Sequence, residues 1–287
     1  MSPIKLLDGA MGSELIVRGE LLPKHIWSAD TNLSNPQLVR KIHKEYVEAG
    51  CDYITTNTFR TTKRSYLKLG LNEDEAINQS TSSLYSAVNQ AKKANSGNQQ
   101  ILGSIAPLED CYKPELFPQE QVAYDEFKII GSQLVDAGVD ILLLETMNSI
   151  NETEICLSAL ENFNISIWVS FHLTNDTSLL SSDKLIDALR IVELFNVENV
   201  LINCTPINII ESACQSMADN CKFKWGIYPN LGVGNPSPDG IINEYESDKD
   251  FINCISKAVD FGATIIGGCC GSNPRTIKKI NDTFFDV

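Results

Sequence analysis

Short apolar runs alternate along the chain with longer segments whose apolar residues recur at helical spacing, and this alternation constrains the fold more than any other feature. The predicted strands are Lys5–Asp8, Asp52–Thr56, Gln100–Ile105, Asp140–Glu145, Ile165–Phe171, Val200–Asn203, Lys224–Tyr228 and Thr264–Gly267. The predicted helices are Asn35–Ala49, Glu73–Ala94, Pro118–Ala137, Asn151–Asn162, Ser182–Phe195, Pro206–Ala218 and Asp248–Phe261. A strand followed by a helix, repeated along the chain, is typical of a parallel sheet.

The junctions between helices and strands repeat one pattern, in which a glycine follows the predicted helix and a buried strand comes next. It occurs at 48–52, 136–140 and 260–263, and glycine can adopt the left-handed conformation that ends a helix. We therefore predict one α/β domain over residues 1–287, a closed (β/α)₈ TIM barrel. An open doubly wound sheet is the alternative, because strand number alone does not establish closure. The Pro/Gly-rich stretch 235–240 is interpreted as a long loop within this domain.

The charge of the chain excludes some partners. Its 23 Lys and Arg against 37 Asp and Glu give a net charge of −14, whereas nucleic acids and anionic membranes require a basic surface. No stretch approaches the ~18 uninterrupted apolar residues of a membrane span. Asp8 comes too early for a signal peptide. We expect a cytoplasmic protein with small-molecule partners, while the sequence does not indicate an oligomeric state.

The nine cysteines are an odd number and include no CxxC pair, unlike the paired cysteines of small secreted proteins. Some lie in predicted strands and helices and are interpreted as small hydrophobic residues: Cys51, Cys156, Cys214, Cys221 and Cys254. The other three of interest follow strands. Cys204 follows the sixth predicted strand, and Cys269 and Cys270 follow the eighth, between glycines. In a (β/α)₈ barrel the carboxyl ends of all strands lie on one face, where catalytic residues gather.

Three thiolates on that face could bind Zn²⁺ and leave its fourth tetrahedral position open, as in catalytic zinc sites. The flanking glycines would let both Cys269 and Cys270 turn toward one ion. Two other interpretations are a redox pair, with a Cys269–Cys270 disulfide, and ordinary core residues. Zinc coordination deprotonates a substrate thiol and keeps it nucleophilic at neutral pH. The predicted reaction is attack by that sulfur on an electrophilic carbon.

Histidine-based and nucleotide-based chemistries find little support. His25, His43 and His172 show no HxH or HExxH spacing, and neither GxGxxG after a strand nor a P-loop is present. His43 lies within a predicted helix and is expected to face solvent. His172 follows the fifth predicted strand, so a role in the site is open.

Motifs at the strand ends resemble those of the zinc-dependent homocysteine S-methyltransferase family, which includes S-methylmethionine and betaine enzymes and the homocysteine module of methionine synthase. The resemblance covers residues 6 to about 275 in the same order. The motifs are Leu7–Gly12, Thr56–Phe59, Gly103–Pro107, Glu145–Thr146, Ile202–Cys204 and Gly267–Gly271. It implies a barrel enzyme that methylates homocysteine to methionine, with Cys204, Cys269 and Cys270 as zinc ligands.

The resemblance also implies roles for substrate-binding residues. Asp8 and Glu145 match acidic positions that bind homocysteine, and an anion opposite its ammonium group is physically reasonable. Gly9 would permit a close backbone approach. Thr56 matches a position that contacts the amino acid, and Asn57 is its neighbour. Asn203 could instead be structural, orienting its own loop.

The methyl donor is less constrained. Aromatic faces stabilise sulfonium and quaternary ammonium groups, and Tyr228, Phe59 or Tyr112 could supply one. The Tyr228-Pro-Asn motif resembles S-methylmethionine-using members, which often continue with Ser-Gly-Glu, whereas this chain has Leu-Gly-Val at 231–233. S-Methylmethionine is the first-choice donor and S-adenosylmethionine the second. Betaine, a separate corrinoid partner, a related thiol or selenol acceptor, and a non-catalytic zinc or redox protein remain alternatives.

Overall fold

The computed structural model describes residues 3–175, 177–233 and 240–285. Eight strands form one parallel sheet: β1 (Lys5–Leu6), β2 (Tyr53–Thr55), β3 (Gln100–Ile105), β4 (Ile141–Met147), β5 (Ser166–Phe171), β6 (Asn199–Asn203), β7 (Lys224–Tyr228) and β8 (Ile265–Ile266). Strands consecutive in sequence pair from β2 through β8, and β8 pairs with β1. Leu7 then bridges in parallel to Tyr53, and the Asp8 N–H donates to the Tyr53 carbonyl at 3.2 Å. This last contact joins β1 to β2, so the predicted (β/α)₈ barrel is confirmed over the open sheet.

Helices surround the sheet. They are α1 (Met11–Val17), α2 (Thr31–Ser34), α3 (Pro36–Glu48), α4 (Lys63–Leu67), α5 (Glu73–Ala94), α6 (Glu120–Ala137), α7 (Ile150–Leu160), α8 (Leu185–Val192), α9 (Ile207–Asn220), α10 (Asp248–Asp260) and α11 (Pro274–Phe284). Short 3₁₀ turns lie at Trp27–Ala29 and Pro114–Leu116. In the described ranges, no helix is both long enough and apolar enough to cross a bilayer.

Sequence periodicity gave bounds for seven helices but not for α1, α2, α4, α11 or an antiparallel hairpin of Leu173–Asn175 with Ser178–Leu179. Except for α11, these segments contain too few residues for a period to be recognised. α11 has 11 residues, so its length did not prevent its prediction. The predicted loop at 235–240 lies outside the described residues except for Gly240.

The glycines at the helix-to-strand junctions have the predicted conformation. Gly50, Gly138 and Gly262 have φ of 98°, 81° and 107°, values that residues with a Cβ rarely adopt. Each follows a helix and turns the chain into the next strand or the bridge beside it. The repeated pattern in the sequence therefore corresponds to a repeated local structure.

The interior of the barrel has its own apolar cluster, separate from the larger core between strands and helices. Its buried members are Leu7, Leu102, Ile141, Leu143, Trp168, Leu201, Cys204, Tyr228, Ile265 and Cys269. Tyr53 meets Trp168 edge to face at 4.9 Å between ring centroids. The two cysteines of this cluster follow β6 and β8, so they close the barrel interior at its carboxyl end.

The prediction that His43 faces solvent is wrong, because the residue is fully buried. It lies on the buried face of α3 beside Val39, Ile42 and Tyr46. Burial lowers its pKa to about 3, so the ring is neutral. The spacing of Val39, Ile42 and Tyr46 is the sequence signal that places His43 on the buried face of the helix.

The structural cysteines behave as small hydrophobic residues, with one difference. Cys51, Cys156, Cys214 and Cys254 are buried, whereas Cys221 is partly exposed. Burial raises the pKa of Cys156 well above its usual value, so this thiol stays protonated and unreactive.

Candidate metal and substrate site

Three cysteines from two strand ends meet at the mouth of the barrel. The sulfurs of Cys204, Cys269 and Cys270 lie within 4.8 Å of one another, and Cys204 Sγ is 4.0 Å from Cys270 Sγ. The Cys204 and Cys269 sulfurs are in direct contact as a disulfide pair. The redox interpretation with a Cys269–Cys270 disulfide is therefore not the arrangement observed. Reduction of the observed pair would present three thiols to a common centre.

Cys204 is aimed into the mouth by a strained turn after β6. Its φ of 50° is in the left-handed region, which a residue with a Cβ adopts only when its surroundings enforce it. The Cys204 N–H donates to the Tyr228 carbonyl at 3.3 Å. The Asn230 side-chain amide donates to the Cys204 carbonyl at 2.8 Å. Groups at the end of β7 thus hold the turn that directs the thiol.

The loop after β8 is held by the same segment after β7. The Cys269 N–H donates to the Pro229 carbonyl at 2.8 Å, and the Cys270 carbonyl accepts from the N–H groups of Leu231 and Gly232 at 2.9 and 3.1 Å. The backbone therefore fixes the positions of both adjacent thiols. The 229–232 segment links the two strand ends that carry the three cysteines.

The free thiol of the group is protonated at neutral pH in the absence of a cation. Burial raises the pKa of Cys270 to about 12, and the charges of Cys111 and Glu145 add to the rise. A cation that binds here must therefore displace protons, which soft, thiophilic metals do. Three sulfur ligands that leave one position open match the donor set of a catalytic zinc site, so these residues fit zinc.

Asp8 provides an acid after β1, next to the loop that follows β8, where the Gly268 N–H donates to the Asp8 carbonyl at 3.4 Å. It is 3% exposed, and its Oδ2 accepts from the Thr55 N–H at 2.8 Å. Burial raises its pKa to about 8, against that hydrogen bond, and the Glu145 charge adds to the rise. Within the described residues Asp8 has no ion-pair partner. A buried acid of this kind is stabilised as an anion by a cationic ligand.

Glu145 provides the second acid, near the end of β4. The β4–β5 pairing changes register between Leu144 and Met147, so Glu145 lies at an irregular point of the strand. Its Oε2 accepts from the Ser104 hydroxyl at 2.6 Å. Burial raises its pKa, while contacts with Ser104 and Tyr228 oppose the rise. The structure therefore brings together two acids that the sequence places 137 positions apart.

Tyr228 lies near both acids, whose charges add to the rise in its pKa that burial causes, and its carbonyl accepts from the Cys204 N–H. It is 2% exposed, and its hydroxyl is directed toward Glu145 and Ser170 but makes no well-formed hydrogen bond in the described part of the chain. A buried hydroxyl without a partner costs free energy. Such a group is available to a ligand that enters the mouth.

Comparison with known proteins decides the family. The sequence model of the homocysteine S-methyltransferase family matches residues 5–284, nearly the whole chain. The chain belongs to the homocysteine S-methyltransferase family. It is 28% identical to homocysteine S-methyltransferase 2 of Zea mays, over 97% of this chain and 89% of the relative. It is 26% identical to a selenocysteine Se-methyltransferase of Brassica oleracea var. italica, over 96% and 87% respectively.

Solved structures agree with this membership. The metallated form of the homocysteine methyltransferase MmuM from Escherichia coli superposes with a TM-score of 0.84 at 26% identity, covering 98% of this chain and 96% of that one. The oxidised form of MmuM gives the same TM-score. The overall fold is therefore that of a homocysteine methyltransferase for which both a metallated and an oxidised state are known.

Among the other predicted residues of this homocysteine S-methyltransferase family member, Thr56 lies in the site but its hydroxyl is engaged. It accepts from the Ser104 N–H at 3.2 Å and donates to Thr58 Oγ1 at 2.8 Å, because the Thr58 hydroxyl itself donates to the Ser104 carbonyl at 2.7 Å. These bonds tie the end of β2 to β3. A substrate contact would use the remaining lone pair or the methyl group of Thr56.

Asn57 is better explained as a structural residue than as a substrate contact. Its side-chain amide donates to the Ser28 carbonyl at 2.9 Å and to Asn32 Oδ1 at 2.8 Å. Its Oδ1 accepts from the Ser28 hydroxyl. Both amide hydrogens are thus used to hold the 3₁₀ turn at Trp27–Ala29 and α2, and the predicted substrate role is not supported by this geometry.

Gly9 makes the close approach that was predicted, but to protein atoms. A Cβ at Gly9 would lie 2.7 Å from Ser272 Oγ and 2.8 Å from the Tyr46 hydroxyl. Both groups hold Ala10: the Ala10 N–H donates to Ser272 at 3.1 Å, and the Tyr46 hydroxyl donates to the Ala10 carbonyl at 3.0 Å. Gly9 therefore lets the β1 end pack against the β8 loop.

His172 adds an aromatic contact at the end of β5. Its ring is 5% exposed and packs edge to face against Tyr112, at 5.7 Å between centroids. Burial lowers its pKa, so the ring is neutral at physiological pH. Tyr112 comes from the loop after β3, which therefore reaches across β4 to β5 at the mouth.

Two residues of the site were not singled out as site residues in the sequence. Ser104 binds Glu145, and Asn230 binds Cys204. Ser104 belongs to a strand-end motif, which is the signal that could have identified it. Asn230 follows the Tyr-Pro pair after β7, and only the three-dimensional structure shows its target.

A separate surface groove of about 630 Å³ lies near the starts of α6 and α7. Phe117, Tyr124 and Ile155 contribute its apolar surface. None of the three converging cysteines lines it. This groove is therefore not the candidate site, despite its volume.

Proposed function

We propose that this enzyme transfers a methyl group to the sulfur of homocysteine, giving methionine, and that Cys204, Cys269 and Cys270 hold Zn²⁺ for this reaction. The observation that carries the proposal is the convergence of three cysteine sulfurs within 4.8 Å at the carboxyl end of a barrel. When bound there, zinc holds the substrate thiol as a thiolate, which remains nucleophilic at neutral pH. The metallated form of MmuM supports the same reading.

Asp8 and Glu145 bind the ammonium group of homocysteine in this proposal. Asp8 is buried and Glu145 is partly buried, both have raised pKa values, and neither forms an ion pair among the residues described. An ammonium group between them would favour their ionised forms and lower both pKa values. Their bonds to Thr55 and Ser104 fix the carboxylates before the substrate arrives. Orientation of the sulfur toward the donor is then the main contribution of these residues.

S-Methylmethionine is the proposed donor, and S-adenosylmethionine is second. The homocysteine sulfur forms a bond to the methyl carbon, and the bond between that carbon and the sulfonium sulfur breaks. The electron pair of the broken bond stays on the departing sulfur, which leaves as neutral methionine. The buried Tyr228 ring is proposed to face the positive sulfonium group, and the acids nearby favour its charge. No general base is assigned.

A double-label experiment tests the reaction and the donor together. Reduced, zinc-loaded protein is incubated with ¹³C-labelled homocysteine and S-methylmethionine bearing deuterated methyl groups. Methionine carrying both labels supports the proposal, because only transfer between the two substrates creates it. Doubly labelled product with S-adenosylmethionine alone would replace the donor. No doubly labelled methionine with any of S-methylmethionine, S-adenosylmethionine or betaine, from protein holding one zinc, would contradict the function.

A selenol acceptor is the second candidate, because one relative is named a selenocysteine Se-methyltransferase. A soft metal held by sulfur ligands accepts selenolate as readily as thiolate. Competition between homocysteine and selenocysteine for a limiting labelled donor separates the two. A ratio of kcat/KM values that favours selenocysteine would reverse the proposed preference.

The proposed location is the cytoplasm. Metal binding requires Cys204 and Cys269 as free thiols, and reducing compartments maintain that state. Fractionation of cells followed by detection of the protein tests this location. Recovery in an oxidising compartment would contradict it.

A further inference from the structure

Arg60 differs from the other partly buried arginines of the protein. Arg18 forms ion pairs with two glutamates, and Arg64 pairs with two others. Arg60 is buried to an intermediate degree, but no carboxylate lies within ion-pair distance of it in the ranges that the structure describes. A guanidinium removed from water without a counterion is costly unless a ligand supplies one.

The guanidinium of Arg60 is held in place without being neutralised. Its Nη1 donates to the Pro107 carbonyl at 2.8 Å. Its central carbon lies 4.9 Å from the centroid of the Phe59 ring, a distance at which a cation and a ring attract each other. These contacts leave the Nε and Nη2 donors of the fork without a partner among the described residues. Burial raises the pKa of Glu152 and the charge of Arg60 opposes that rise, but the two groups form no ion pair among the described residues. The guanidinium is therefore positioned with two donors free.

Arg60 lies at the carboxyl end of the barrel, in the loop that follows β2. It follows the 56–58 turn at the end of β2, and Pro107 follows β3. The loop after Pro107 carries Cys111. Arg60 and its carbonyl partner at Pro107 therefore both lie at the carboxyl end of the barrel, the end at which the three cysteines meet.

The proposed substrates need such a group. Homocysteine and S-methylmethionine each carry an α-carboxylate as well as an ammonium group. Asp8 and Glu145 are suited to ammonium groups and would repel a carboxylate. The planar fork of an arginine matches a carboxylate with two parallel hydrogen bonds. Arg60 is the partly buried arginine at the mouth that has such donors free.

We propose that Arg60 binds the α-carboxylate of an amino-acid substrate, and specifically that of the methyl donor. This inference rests on the proposed function. Thr56, Asp8 and Glu145 lie directly at strand ends, whereas Arg60 is further along its loop, toward solvent. The donor must occupy that outer side, because its methyl group has to face the acceptor sulfur from above. Homocysteine, the acceptor, also carries an α-carboxylate and is the other ligand that could make the same contacts with Arg60.

The test compares ligands with and without the carboxylate by calorimetry on reduced, zinc-loaded protein. The ligands are S-methylmethionine, its decarboxylated analogue (3-aminopropyl)dimethylsulfonium, and homocysteine. Arg60→Gln is expected to weaken S-methylmethionine binding by about ten- to a hundredfold and to leave the analogue unchanged. Arg60→Lys should restore part of the loss. Because binding is measured, catalytic turnover is not required.

Arg64→Gln is the matched control. It removes two ion pairs near the same loops, so it reproduces any general loosening. It should not change the ratio of S-methylmethionine to analogue affinity. A purely structural Arg60, tying the β2 loop to Pro107, would weaken all three ligands alike in Arg60→Gln.

The outcomes separate the two proposals. A loss of affinity for homocysteine in place of S-methylmethionine would support Arg60 as the carboxylate site and assign it to the acceptor. Unchanged affinity for both amino acids, or an equal loss for the decarboxylated analogue, would overturn the role of Arg60. Wild-type protein that binds homocysteine but not S-methylmethionine would overturn the donor assignment. Unchanged homocysteine binding in Arg60→Gln would then overturn the Arg60 proposal as well.

Discussion

The side-chain amide of Asn203 spans from β6 to the end of β4 and holds the backbone of Thr146. Its Oδ1 accepts from the Thr146 N–H at 3.1 Å, and its Nδ2 donates to Thr146 Oγ1 at 2.8 Å. Thr146 has a φ of 62°, a conformation that costs free energy outside glycine. Because Thr146 follows Glu145 directly, Asn203 determines where that acid points. The structural interpretation of Asn203 is therefore favoured.

Replacing Asn203 with Ala should destabilise the protein and weaken homocysteine binding. The Oδ1 atom also accepts from the Ser170 hydroxyl at 2.6 Å, so the change leaves three buried polar groups without partners. We expect a loss of about 2–4 kcal/mol in the free energy of unfolding, measured by urea denaturation. Asn220→Ala, which removes a bond to the Ser216 carbonyl in α9, should cost much less. Equal losses for the two variants would refute the role.

Replacing Cys269 with Ala should abolish zinc binding while the protein stays folded, because the residue contributes little to the main core. Two sulfur ligands bind zinc far more weakly than three. Metal analysis of the purified, reduced protein and circular dichroism measure both properties, and we expect activity to fall at least about a hundredfold. Cys254→Ala, at a buried cysteine outside the group, should retain zinc. Stoichiometric zinc in Cys269→Ala would rule out this ligand set.

Replacing Glu145 with Gln should weaken homocysteine binding without loss of zinc. The amide keeps the shape and can still accept from Ser104, but it lacks the charge that an ammonium group requires. We expect the KM for homocysteine to rise by about ten- to a hundredfold. Glu198→Gln is the control, because Glu198 accepts from Trp168 Nε1 at the opposite end of the barrel. An unchanged KM in Glu145→Gln would remove this residue from the substrate site.

Asp8 should make the stability of the ligand-free protein depend on pH. Its pKa is raised from 3.8 to about 8 by burial, so the folded state favours the protonated acid. The resulting stabilisation is complete below about pH 4 and is lost as the pH rises to about 8. From pH 5 to pH 7, wild type should therefore lose up to about 2.6 kcal/mol relative to Asp8→Asn, as measured by urea denaturation of reduced, zinc-free protein.

The control for this titration is Asp140→Asn. Asp140 also accepts a backbone N–H, from Ile101 at 2.7 Å, but it is exposed to solvent. Its replacement should leave the pH dependence of wild type intact. If Asp8→Asn and wild type show parallel stability curves between pH 5 and pH 8, the carboxyl of Asp8 is not perturbed.

The barrel and the cysteine group could be predicted from the sequence because both follow from position along strands. The hydrophobic periodicity, the glycines that follow helices and the positions of the strand ends together determine which residues reach the mouth of the barrel. Cys204, Cys269 and Cys270 meet there as expected. The surroundings of Asn57 could not be predicted, because its partners Ser28 and Asn32 come from the connection between α1 and α3, which contains only a 3₁₀ turn and the four-residue helix α2. The periodicity of a strand or helix carries no information about such loops.

The absence of an ion pair at Arg60 among the described residues could not be predicted from the sequence either. Basic and acidic residues lie near one another in the sequence around residues 60–73. Their spacing does not indicate which arginine has guanidinium donors without an ion-pair partner. Arg64 takes its glutamates from the β3 loop and from α6. Only the packing of helices around the barrel decides that distribution.

The contacts between the end of β1 and the loop after β8 close the barrel and also bring the parts of the site together. The Ala10 N–H binds Ser272, and the Gly271 N–H binds Ser13 at 3.0 Å, contacts between parts of the chain separated by about 260 positions. On the ribosome, the segment that carries Asp8 emerges well before the segment that carries Cys269. A nascent chain that has not yet reached Cys269 cannot assemble the reaction centre, and contacts this distant in sequence form slowly. Catalytic activity of the protein would therefore indicate that β1 has paired with β8 and that the barrel has closed.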